Sequence, residues 1–167
     1  MFPQEPIKSL LVINLQGVCV TLPAFNEDGD LPPGVHGATL SEVLARFGQG
    51  AVQRNAVADR LTRIYQLAIS TGQVARVAVF GSFITAKAEP NDIDILFLME
   101  DTFDLSAVTG EAAVVFQHLE AHTRFGASIF WTRRSGTIGG EQAMIEYWQA
   151  RRKGGQRGIV EILPEGT

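Results

Sequence analysis

A chain of 167 residues with 46% hydrophobic and 19% charged side chains can build one sizeable core, which sets aside intrinsic disorder and two large domains. Its net charge of -4 weighs against a protein that coats nucleic acid, while leaving room for a local basic face. No apolar run approaches the roughly 20 residues of a membrane-spanning helix, so no membrane role is expected. The start of the chain carries one lysine and no small-residue cleavage site, which points to a cytoplasmic protein.

Residues 1–21 read as an N-terminal extension and residues 22–167 as the main domain. Within the extension, Leu10 to Val20 has strand-like composition and is expected to add an edge strand or to serve as an arm for a second copy, a homodimer. Cys19 is the only cysteine and can form neither an internal disulfide nor a cysteine-based metal site. The turn-rich stretch Pro23 to Thr39 reads as a linker. Thr39 or Ser41 can then cap a helix through Phe47. A second helix is predicted over Val52 to Ser70, with Val57, Leu61, Ile64 and Ala68 at helical spacing and Gly72 as its stop. Further along come a strand at Val74 to Phe80, a strand at Ile93 to Met99, an amphipathic helix at Gly110 to His122 and a strand at Ala127 to Thr132. A helix at Glu141 to Arg151, a turn at Lys153-Gly154-Gly155 and a strand at Ile159 to Leu163 complete the chain. This interleaving predicts a mixed α/β (α+β) sheet domain.

The chemistry concentrates in FGSFITAKAEPNDIDILFLM, Phe80 to Met99. Asp92 and Asp94 are two residues apart, so they share one face of a strand, about 6.6 Å from each other, while Ile93, Ile95 and Phe97 take the other. Two anions so close repel each other and lose hydration unless a cation sits between them. Hard oxygen ligands of this kind suit magnesium together with substrate phosphates. Gly81-Ser82 complements them: glycine turns the chain at the strand end, amides at a helix start face an anion, and Ser82 adds a hydroxyl donor. Lys87, in the intervening loop, can reach a phosphate as a mobile charge. Either half alone is common in sheets; the combination is far more specific. His118 and His122 lie on one helical face but lack a third zinc ligand. Arg133, Arg134, Arg151, Arg152, Lys153 and Arg157 are candidates for a basic patch facing RNA or an acidic partner.

Phe80-Gly81-Ser82-Phe83 followed by Asp92-Ile93-Asp94 resembles the DNA polymerase beta-like nucleotidyltransferase superfamily. LPPGVHGATLSEVLARFG and YWQARRKGGQRGIVEI are similar to a small bacterial branch of it, related to minimal nucleotidyltransferases found beside toxin genes. The resemblance spans about Leu22 to Leu163. It implies a minimal nucleotidyltransferase fold, a mixed central sheet with helices packed on one side. It implies that Gly81 and Ser82 hold a nucleoside triphosphate such as ATP, that Asp92 and Asp94 carry Mg2+, and that a nucleoside monophosphate passes to a protein or RNA hydroxyl. Relatives add a third carboxylate from a later strand; the aligned position here is Ser128, a neutral and weaker ligand, with Glu100 or Asp101 as alternative acids. Ser128 therefore opens a second expectation, a catalytically degenerate, antitoxin-like protein that binds a toxin partner.

Overall fold

In the computed structural model, the described residues are 22–165. The expected extension, with its edge strand, its Cys19 and its role in a homodimer, lies outside them. Five strands form one mixed sheet: β1 (Val35–Thr39), β2 (Val74–Phe80), β3 (Ile93–Met99), β4 (Ala127–Arg133) and β5 (Ile159–Leu163). Their spatial order is β1-β5-β2-β3-β4. β2 runs antiparallel to β3 and β5, whereas β1 with β5 and β3 with β4 are parallel pairs. The helices are α1 (Leu40–Phe47), α2 (Val52–Ile69), α3 (Gly110–Val115), α4 (His118–Phe125) and α5 (Glu141–Tyr147). The α+β class expected from the interleaved pattern is the one observed.

Strand alternation divides the core in two. Ile93, Ile95, Phe97 and Met99 of β3 join Val77, Val79, Val160 and Ile162 under α1 to α4. On the opposite face, Ala78, Phe80, Leu96, Leu98 and Ile159 pack against Ile145 of α5 and its neighbours Met144 and Trp148. The expectation of helices on one side is thus corrected. β2 and β3 are apolar on both faces, and a sheet with two apolar faces must cover both.

Three other boundaries differ from the sequence-based expectation, each for a tertiary reason. The stretch read as a linker contains β1, which finds its parallel partner only in β5, and it places Leu31 in the core at 1% exposure. The expected single helix over Gly110 to His122 breaks into α3 and α4 at Phe116 and Gln117. Phe116 is buried among Phe97, Phe103 and Trp131, and its carbonyl accepts from Trp131 Nε1 at 2.9 Å. The last helix stops at Tyr147 rather than Arg151. Beyond it, buried Gln149 accepts from the Gly34 amide at 2.6 Å, and a bridge between Ala150 and Gln156 closes a tight turn. By contrast, Thr39 caps α1 as expected, in a capping box with Glu42. None of the described helices is long and apolar enough to cross a membrane.

Candidate functional site

The site is built at the end of three adjacent strands. Phe80 of β2 pairs with Asp94 of β3, and Asp94 pairs with Ser128 of β4, so the register sets the acid between the strand leading into Gly81 and the Ser128 side chain. Gly81 has φ +81°, and a Cβ on it would lie 1.8 Å from Asp94 Oδ2. Only glycine meets both demands, the left-handed backbone and the close approach of a carboxylate. Ser82–Ile84 then form a single 3-10 turn. The α-helix start expected after Gly81-Ser82 is absent, because the chain is held in a loop instead. Its clamp is Arg54 of α2, buried at 9% exposure, which donates to the carbonyls of Phe47 and Phe83 at 2.9 Å each, of Thr85 at 2.5 Å, and of Lys87.

Ser82, Asp92, Asp94 and Ser128 all line one cleft of about 630 Å3. Asp92 sits just before β3 and is half-buried. The carboxyl of Asp94 is pushed from 3.8 up to about 6, first by burial and then by the like charge of Asp92, with Arg157, a hydrogen bond from Ser128 and Arg152 pulling the other way. Neither Asp92 nor Asp94 has an ion-pair partner among the described residues. No group of three or more His, Cys, Asp or Glu comes together among the described residues, so a metal here would be held by two carboxylates and by the oxygens of its own ligand.

The facing wall is basic and aromatic. Arg151, Arg152, Lys153 and Arg157 line it. Buried Asp30 stands behind them, 3.3 Å from Arg151 and 3.9 Å from Arg157; Asp30 Oδ2 has no hydrogen bond, so these are charge contacts without hydrogen-bond alignment. Asp28 adds a contact to Arg151 at 3.4 Å. The candidate basic patch is thereby split. Arg133 and Arg134 lie at the opposite end of β4, where Arg133 donates to the Phe103 carbonyl at 2.8 Å and Arg134 pairs with Glu100 and Glu141. Glu100 and Asp101 are at that same end, about 20 Å along β3 from Asp94, too far to serve as a third acid.

Lys87 is exposed and is not among the residues lining the cleft. His118 contacts the Ile129 carbonyl at 3.0 Å and its ring lies 5.1 Å from Phe130, a packing role. Sequence reasoning missed Asp30, Phe130, Tyr147 and Trp148. The signal for the last two was available in the adjacency of Tyr147-Trp148 to the basic run, whereas Asp30 reaches the site only through folding. A larger groove of about 870 Å3 between α3 and α4 contains Glu111, Leu119 and Arg124, but it is on the other side of the sheet and holds none of the candidate residues.

A model of the family described as "Family of unknown function (DUF6932)" matches residues 23–163, and the chain belongs to that family. No curated protein and no solved structure matched the chain.

Proposed function

We propose that this member of the family of unknown function DUF6932 binds a magnesium–nucleoside triphosphate in the cleft and transfers the nucleoside monophosphate to a protein or RNA hydroxyl, as a minimal nucleotidyltransferase of the DNA polymerase beta-like kind. The observation that carries this reading is the fit of Gly81 against Asp94, where a Cβ would fall 1.8 Å from the carboxylate, with Ser82 and Asp92 lining the same cleft. Asp94, disfavoured as an anion by burial and by the like charge of Asp92, gains most from a ligand that brings both a cation and phosphates.

In this reading Asp92 and Asp94 hold magnesium, which when bound screens phosphate charge and lowers the pKa of an attacking hydroxyl. Ser82 donates its hydroxyl to a phosphate oxygen. Arg157 and Arg152, whose charges already act on Asp94, neutralise the triphosphate and the departing pyrophosphate. Buried Asp30 keeps Arg157 and Arg151 turned to the cleft wall.

A second reading is favoured by Ser128. It stands directly beside Asp94 in the parallel ladder, and a neutral hydroxyl there leaves the metal nearest the acceptor weakly held. On that reading the protein is an antitoxin-like module that binds nucleotide or a toxin partner without turnover. Thermal unfolding with and without magnesium–ATP tests the shared part. Stabilisation is expected, of roughly 2.7 kcal/mol at a hundredfold excess over Kd, and Asp92→Asn with Asp94→Asn should remove it entirely; a shift that survives in the double variant would place the nucleotide elsewhere. Labelled monophosphate transfer then separates the two readings. Transfer by the wild type, raised by Ser128→Asp, supports the enzyme; binding without transfer by either form supports the partner-binding module.

A further inference from the structure

Tyr147, the last residue of α5, is 69% exposed yet lines the same cleft as Asp92 and Asp94. Its neighbour Trp148 is fully committed: that ring lies 4.5 Å from Phe80 and 4.6 Å from Phe130. Tyr147 meets Trp148 edge-on, at 5.8 Å and 85°, and has no other ring contact among the described residues. The packing therefore anchors the end of α5 through Trp148 and leaves the ring of Tyr147 standing in water at the rim. The indole Nε1 of Trp148 is buried with no hydrogen-bond partner, a spare donor in the same wall. An aromatic face costs free energy in water and regains it when a flat, polarisable group covers it.

We propose that Tyr147 is the platform on which the base of the bound nucleoside triphosphate stacks, an assignment that rests on the nucleotide reading of the cleft. The same wall sets the selectivity. Among the described residues lining the cleft there is no Asn or Gln, so no side-chain amide is there to read a base edge with a paired donor and acceptor. Stacking tolerates every base and grows with ring area. ATP and GTP should therefore bind within a few-fold of each other, and both ahead of CTP and UTP.

The test compares magnesium–ATP with magnesium–tripolyphosphate, which carries the phosphates and no base, by titration calorimetry on the full chain and on Tyr147→Ala and Tyr147→Phe. The wild type should prefer ATP by about 5- to 150-fold, the range a single base–aromatic stack supplies. Tyr147→Ala should lose that preference while keeping its affinity for tripolyphosphate, and Tyr147→Phe should retain it. A 2-aminopurine riboside triphosphate should be quenched on binding to the wild type and Tyr147→Phe, but not to Tyr147→Ala. If tripolyphosphate binds and ATP binds no better, or if Tyr147→Ala keeps the preference, the stacking assignment falls alone. If neither ligand binds, the nucleotide reading falls and takes Tyr147 with it.

Discussion

The face of the sheet under α5 has two ends, and they treat acids in opposite ways. At the start of α5, Glu141 lies 2.6 Å from Arg134 and 3.8 Å from Arg76. Arg76 also grips Glu161 through two hydrogen bonds, at 2.6 and 2.9 Å, while Arg134 reaches Glu100 at 3.2 Å. Asp101 accepts from the Ser135 amide at 2.8 Å, and that bond holds its carboxyl below the usual range. At the other end of the same helix, Asp94 is pushed up to about 6 beside Asp92. One end is an ion network that fastens α5 to the sheet; at the other, Asp92 and Asp94 form no ion pair among the described residues, while Arg151 is paired with Asp28 and Asp30 and Arg157 with Asp30. Charges that stabilise a fold are paired within it, and a pair of acids left unmatched in a cleft is a candidate for a functional site.

The largest way to break this contrast is Gly81→Ala. The new Cβ would meet both the left-handed backbone and the Asp94 carboxylate, so a loss of about 2–5 kcal/mol is expected in urea unfolding. Gly81→Ala combined with Asp94→Ala should recover the part that arises from collision. No recovery would mean that backbone strain alone carries the effect.

Replacing one acid at each end should give opposite signs. Asp94→Asn is expected to stabilise the metal-free protein by about 2–3 kcal/mol at pH 8, because it removes an anion that burial and Asp92 disfavour. The pH dependence has a defined direction. The folded protein holds the Asp94 proton more tightly than the unfolded chain, so wild-type stability falls as pH rises from about 4 through about 6. The gap between wild type and Asp94→Asn should be absent at the acid limit, open across that window and level off above it. Urea melts at pH 4, 5, 6 and 8 measure this; a gap independent of pH would refute the electrostatic origin.

Glu161→Gln, the matching change in the network, should instead destabilise by about 1 kcal/mol, since it leaves half-buried Arg76 with a weaker, neutral partner. That loss should shrink in 1 M salt. Stabilisation by Glu161→Gln would mean that the network costs more in desolvation than it returns.

Much of this architecture was legible in residue order. The β2 and β3 boundaries, the Thr39 cap and the shared face of the two acids follow from local rules of strand alternation, capping and turn formation, which act over a few residues. Interruptions imposed from outside the segment were not legible: α3 and α4 are separated because Phe116 and its carbonyl serve Trp131, and α5 ends early because Gln149 turns to accept from the Gly34 amide and Ala150 bridges to Gln156. Both breaks follow partners distant in the chain.

The sequence by itself determined the strand–glycine–serine turn and the spacing of Asp92 and Asp94, because backbone freedom at glycine and the two-residue period of a strand are properties of adjacent residues. Only the tertiary structure decided which of six basic residues face those acids. Arg133 and Arg134 emerge from one end of β4, whereas Arg151, Arg152, Lys153 and Arg157 precede β5, which runs beside β2, and line the cleft of the acids, with Arg151 and Arg157 held by Asp30. Charge interactions depend on distance through space, and residues more than a hundred positions apart acquire that distance only when the sheet sets their register.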